Sequence, residues 1–210
     1  MKKLIFIFII LHCTLHIENC SAQWVQTHGI YGGNVRCFTV SGTNTFTGTW
    51  NGGIFLSTNN GTNWAQVNNG LTDMIVTSIF SSGTNIFAGT YRSGIFRSTN
   101  NCANWIQVNN GLTGTNDITA FAVSGSNIFA GRTGSGIFRS TNNGENWTAV
   151  NNGLTNLNTN ALAVSGTNIF AGTGSGGIFL STNNGENWTA VNNGLAGLSV
   201  RTLAVSGSNI

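Results

Sequence analysis

The sequence predicts an all-β protein assembled from repeated four-stranded antiparallel sheets, and three observations predict it. The motif Ser-Thr-Asn-Asn-(Gly/Cys)-x-Asn-Trp occurs four times, ending at Trp64, Trp105, Trp147 and Trp188, so one unit recurs at a period of 41 or 42 residues. Within each period, apolar runs of four to six residues alternate with Asn- and Gly-rich turns, the rhythm of short strands joined by hairpins. Beyond the N-terminal segment no apolar stretch reaches helical length, which rules against a helical solenoid of the same period. Units of about 40 residues, each with four strands, are the blades of a β-propeller.

The third unit shows the elements in order. Ile118 to Val123 is apolar, Ser124 to Asn127 is a turn, and Ile128 to Gly131 is apolar again; a Gly-rich turn at Thr133 to Ser135 leads to Gly136 to Ser140, the turn at Asn142 to Gly144, and Trp147 to Val150. Both alternating faces are apolar or small, as in Ala161, Leu162, Ala163 and Val164, which suits strands sandwiched between neighbouring blades. Small residues at Ser78, Ala120 and Ala161, with Cys37 in phase, fit the crowded innermost strand, and the Trp strand then lies at the wider rim. Blades are expected at about 34–68, 75–109, 117–151 and 159–192, within a propeller domain spanning 23–210. Trp24 to Thr27 reads as an outermost strand without a blade of its own. Val200 to Val205 starts another blade at 200–210, so the reading is four complete blades plus partial ones, a fragment of a seven-bladed propeller.

The repeated motif resembles the Asp-box, or BNR repeat, Ser-x-Asp-x-Gly-x-x-Trp. Ser57, Asn59, Gly61 and Trp64 match it, as do Ser140, Asn142, Gly144 and Trp147, then Ser181, Asn183, Gly185 and Trp188; the second copy offers Ser98, Asn100 and Trp105, with Cys102 in the Gly position. Asn replaces Asp throughout, and an Asn side chain still accepts backbone hydrogen bonds in a turn. The Gly position calls for positive φ, and Cys102 there is expected to cost about 1 kcal/mol if it keeps that geometry. The Trp is expected to fill the space between two blades. The resemblance covers nearly all of 23–210 and implies a propeller similar to secreted bacterial relatives of sialidases, xyloglucan-cleaving glycosidases, sortilin-type receptors and photosystem II assembly-factor-like proteins. In these families the box is a structural hairpin remote from the active site, so it carries fold and not chemistry.

Met1, Lys2 and Lys3 followed by the apolar Leu4 to Leu11 read as a secretory signal peptide over 1–22, cut after Ala22. That places the chain in the periplasm, at the cell surface or outside a bacterium, with no transmembrane segment beyond the signal peptide. The remaining 188 residues hold six arginines, no lysine and four acids, a net charge of about +2 that is too small and scattered for a nucleic-acid footprint. Cys37 and Cys102 remain after cleavage and fall at different radial positions, which disfavours a disulfide. No Cys/His cluster has metal-ligand spacing, and His28 is the one histidine after the signal, so neither metal nor cofactor is expected.

Candidates for chemistry are few. Arg97 and Arg139 take the phase of Leu56 and Leu180, and Glu145 and Glu186 lie inside the boxes, so all four read as blade-surface residues. Asp73 and Asp117 precede first strands but out of phase, and read as turn-capping or solvated carboxylates. Tyr31, Tyr91, Arg36, Arg92, Arg132 and Arg201 break the repeat yet form no catalytic constellation. Trp50, Tyr91, Arg92 and Arg132 fall in loops between second and third strands, and aromatic and Arg side chains there are the candidate binding anchors. The sequence therefore points to a secreted, non-enzymatic module for an unknown protein or glycan partner. The alternative is a sialidase-like or xyloglucanase-like glycoside hydrolase whose catalytic residues lie largely outside the chain.

Overall fold

The computed structural model describes Ile30 and residues 34–114, 117–206 and 210. The signal segment, Trp24 to Thr27, His28 and Tyr31 lie outside the described residues. Four antiparallel sheets of four strands follow one another along the chain, and the described residues contain no helix. The first holds β1 (Asn34–Ser41), β2 (Asn44–Trp50), β3 (Gly53–Ser57) and β4 (Ala65–Gln66); the second β5 (Val76–Ser82), β6 (Asn85–Thr90), β7 (Ile95–Ser98) and β8 (Ile106–Gln107). The third holds β9 (Ile118–Ser124), β10 (Asn127–Arg132), β11 (Gly136–Ser140) and β12 (Thr148–Ala149); the fourth β13 (Thr159–Ser165), β14 (Asn168–Thr173), β15 (Ile178–Ser181) and β16 (Thr189–Ala190). The first strands β1, β5, β9 and β13 pack against one another in succession, so they line the inner radius of a propeller arc.

Outer strands are shorter than the apolar run Trp147 to Val150 predicts, with only two residues in each ladder. The physical reason is that the Trp backbone is used across the blade boundary instead: Trp105, Trp147 and Trp188 donate their N–H to Asn69, Asn110 and Asn152 carbonyls of the preceding blade, each at 2.9 Å. The indoles donate to Val67, Val108 and Val150 carbonyls at 2.7, 2.9 and 2.7 Å. Trp105 is 3 % exposed and packs with Phe46, Ile54 and Val76, so it fills the space between the first two blades. The Val-Asn-Asn-Gly-Leu segment completes the joint. Its first Asn extends the sheet by accepting Ile54, Ile95, Ile137 and Ile178 N–H groups with the side chains of Asn68, Asn109, Asn151 and Asn192.

In the motif turns, Ser57 Oγ accepts the Gly61 N–H at 2.8 Å and Asn59 Oδ1 accepts the Asn63 N–H at 2.9 Å, a geometry repeated in every copy. Positive φ falls on two successive residues, Asn60 (54°) and Gly61 (83°), and Cys102 keeps it at 64°. Arg97 and Arg139 reach the next blade's turn, donating to Asn143 and Asn184 carbonyls at 2.6 and 2.8 Å. Cys37 and Cys102 are free thiols, and burial pushes both up to about 12.

Val200 to Val205 does not form the strand the sequence predicts. Its first residue still sits as an innermost strand would, with Val200 against Gly172, its N–H on the Thr173 carbonyl at 2.9 Å and its own carbonyl accepting from Asn160. A ladder needs a hairpin partner, and residues 207–209, part of the turn read from the sequence, lie outside the described residues.

Candidate functional site

Each first strand carries a β-bulge near its start, and the bulge builds the site. Val35 pairs with Thr49 and Cys37 with Gly48, leaving Arg36 as the extra residue; the same shift leaves out Thr77, Thr119 and Asn160. A bulge bends the strand and re-aims a side chain, and here it turns one residue per blade toward the axis. Opposite each bulge a glycine admits the next blade: a Cβ on Gly48, Gly89, Gly131 or Gly172 would stand 2.4–2.7 Å from Val76, Ile118, Thr159 or Val200. These bulged residues are equivalent in the repeat, and Arg201 takes the same phase in the segment after the fourth blade.

Together the five line a cavity of about 370 Å³, joined by Trp50, Tyr91 and Asp117. A second cavity of about 300 Å³ shares the same five residues and continues along the inner strands past Ser78, Ala120 and Ala161. The three uncharged members tie blade to blade. Thr77 Oγ donates to the Ile118 carbonyl, Thr119 Oγ to the Thr159 carbonyl and Asn160 Nδ2 to the Val200 carbonyl. Arg36 and Arg201 are exposed and make no hydrogen bond or ion pair among the described residues.

Trp50 ends β2, and Tyr91 is its equivalent one blade on. Their rings lie 5.6 Å apart at 45°, with Arg36 4.9 Å above the Trp50 ring and Arg92 5.6 Å from that of Tyr91. Stacking of a guanidinium on an aromatic face orients it while leaving its N–H edge open. Asp73 fixes this loop from behind, its two oxygens accepting the Ile75 and Arg92 N–H groups at 3.0 and 2.8 Å.

Of the four loop anchors read from the sequence, Trp50 and Tyr91 line the cavity and Arg92 flanks it. Arg132 departs from that reading, because it is fully buried. It occupies the phase of Thr49, Thr90 and Thr173, each of which caps its own turn by donating to Gly53, Gly94 or Gly177. Arg132 instead donates to the Thr113 carbonyl at 2.7 Å and lies 5.0 Å from the Phe138 ring. Burial lowers its pKa, and the nearby Asp117 charge opposes that shift. Asp117 is half-buried; desolvation raises its carboxyl, while the Thr133 hydroxyl at 2.9 Å and the Arg132 charge pull it down. Its Oδ1 has no hydrogen-bond partner among the described residues. Thr77, Thr119 and Asn160 do not stand out in the sequence because small polar side chains at one phase look like ordinary repeat positions; the signal is Arg36 and Arg201 occupying that same phase.

The profile of the DUF6242 β-propeller domain matches residues 77–203, more than half of the chain. The chain belongs to that family. No curated protein matches it in sequence. Among solved structures, this DUF6242 propeller is similar to the extracellular domain of the one-component system BT4673 from B. thetaiotaomicron (TM-score 0.71, 14 % identity, 88 % of this chain and 26 % of that one). It is also similar to a GH74 enzyme from Niastella koreensis (0.60, 20 %, 81 % and 27 %) and to YCF48 from Cyanidioschyzon merolae (0.57, 14 %, 75 % and 55 %). A further YCF48 structure of similar likeness, at 13 % identity, holds a D1 peptide. The chain thus spans about a quarter of the first two structures and about half of YCF48, and these likenesses show the shared propeller fold.

Proposed function

We propose that this DUF6242 propeller is a secreted or surface-displayed binding module without catalytic activity, part of a seven-bladed ring, which engages a protein or glycan at the mouth of its axial channel. The observation that carries this reading is the cavity itself: Arg36 on a bulged inner strand and stacked on Trp50, Arg201 in the segment after the fourth blade, and the Trp50–Tyr91 aromatic pair beside them. Pre-ordered aromatic and guanidinium groups lose little entropy on binding, which favours recognition. The extracellular placement of the BT4673 domain and the D1 peptide held by YCF48 support the reading by analogy. The motif turns sit at the opposite ends of the strands, so Asn59, Asn142 and their equivalents serve the hairpins. The test is saturable binding of the whole chain to arrayed glycans and candidate peptides. Trp50→Ala and Tyr91→Ala should each weaken it at least tenfold with the melting temperature held within a few degrees; retained affinity in both would overturn the proposal.

One observation favours a second reading, glycoside hydrolysis: Asp117 lines the cavity and burial raises its carboxyl, the direction a general acid needs. Glycosidases work with two carboxyl groups. Asp73 spends both oxygens on backbone N–H groups, so the partner would have to come from outside the described residues. Release of reducing sugar from xyloglucan, lost in Asp117→Asn, is the result that would replace binding by catalysis.

A further inference from the structure

The hydrogen-bond inventory of the cavity narrows what it accepts. Thr77 and Thr119 spend their hydroxyl protons on the next blade's carbonyls, so toward the cavity they offer oxygen acceptors, while Asn160 gives one N–H to the Val200 carbonyl and keeps its Oδ1 as an acceptor and its second N–H as a donor. Donors come from Arg36, held on Trp50 with its N–H edge open, and from Arg201, which lines the same cavity. A matching ligand carries an anionic oxygen pair for the guanidinium groups and, beside it, several O–H donors for the acceptors. A phosphodiester backbone supplies acceptors alone and would leave the Thr77 and Thr119 oxygens without donors. At about 370 Å³ the cavity lies at the compact end of small-ligand sites, the size for one or two rings and not for an extended peptide.

We infer that the channel mouth binds a carboxylated pyranose, its carboxylate between Arg36 and Arg201 and its hydroxyls donating to Thr77, Thr119 and Asn160. This rests on the binding reading above and adds the ligand class. Guanidinium–carboxylate pairing is strong and geometrically selective, so the acid should dominate affinity.

Calorimetric titration of the whole chain tests it with trigalacturonate, its methyl ester and sialyllactose. Trigalacturonate or sialyllactose should bind, with the preferred one showing whether the acid belongs to a uronate chain or to a terminal residue; the methyl ester should bind at least tenfold more weakly than trigalacturonate if the chain is preferred. Arg36→Gln and Arg201→Gln, both at exposed positions, should each weaken the preferred acid about tenfold with the circular dichroism unchanged. Equal affinity for acid and ester, binding indifferent to both arginine variants, or no binding of either acid would overturn the inference. A peptide that binds and is lost with Trp50→Ala and Tyr91→Ala, in a protein that ignores both acids, would sink the ligand class and leave the binding role standing. Loss of any Trp50 and Tyr91 dependence would sink both.

Discussion

Cys102 shows how one residue carries two opposed terms. Its φ of 64° belongs to the left-handed region, which costs a side-chain-bearing residue about 1–2 kcal/mol. Its thiol, however, is buried in the core between the first two blades. Cys102→Gly relieves the first and forfeits the second, so urea unfolding should place it within about 1 kcal/mol of the parent. The reverse change has no such compensation: at Gly144, φ is 79° and a Cβ would stand 2.7 Å from the Phe87 ring. Gly144→Cys should therefore cost about 2–4 kcal/mol, strain plus overpacking. Asp117 gives the residue scale its pH dependence. Because burial raises its carboxyl in the folded state, the fold holds that proton to higher pH than the unfolded chain does, near 3.9. Its contribution is fully favourable below that value and is lost as pH rises through the folded pKa. Asp117→Asn removes the dependence, so the melting temperature of the variant relative to the parent should climb as pH rises above about 4 and level off once Asp117 is ionised in the folded protein. A flat difference across that range would show that Arg132 and Thr133 already offset the desolvation.

At the scale of the element, the blade joint is where the repeat acts. Trp147 is 3 % exposed between the second and third blades, whereas Trp64, facing no described blade, is half-buried and meets Phe38 at 6.4 Å. Trp147→Ala should cost about 3–5 kcal/mol and Trp64→Ala well under half of that; equal losses by denaturant midpoint would mean that Trp64 is covered too. The strands, their order and the rim position of the Trp were legible in the sequence because hydrophobic runs and Asn-Gly turns report local structure directly. The length of the outer strand was not, since its backbone groups are claimed by the neighbouring blade, and no pattern within one unit reveals that. Nor was the burial of Arg132: an Arg breaking a Thr phase reads as exposed until the Thr113 carbonyl that receives it is placed beside it. Trp50 and Tyr91 stood out because they interrupt a repeat. The bulge that gathers Arg36, Thr77, Thr119 and Asn160 arises from pairing register, which a sequence does not display.

Across the whole molecule, the three cores between successive blades share no residue. Stability is then close to a sum over nearest-neighbour joints, as in other repeat architectures. Ile54 belongs to the first core and Ile137 to the third, and both are fully buried. Truncation to Val at either should cost about 0.5–1.5 kcal/mol. For Ile54→Val combined with Ile137→Val, the losses should add within about 0.5 kcal/mol, because no side chain of one cluster touches the other. Ile54→Val combined with Val76→Ala, both inside the first core, should depart from additivity by about 0.5 kcal/mol or more, since one cavity relaxes into the other. The measurement is a double-mutant cycle by urea unfolding with the m-value held constant. Coupling above about 1 kcal/mol between Ile54 and Ile137 would show that the inner strands, tied through Thr77, Thr119 and Asn160, transmit strain across blades, and that the channel ring is one mechanical unit.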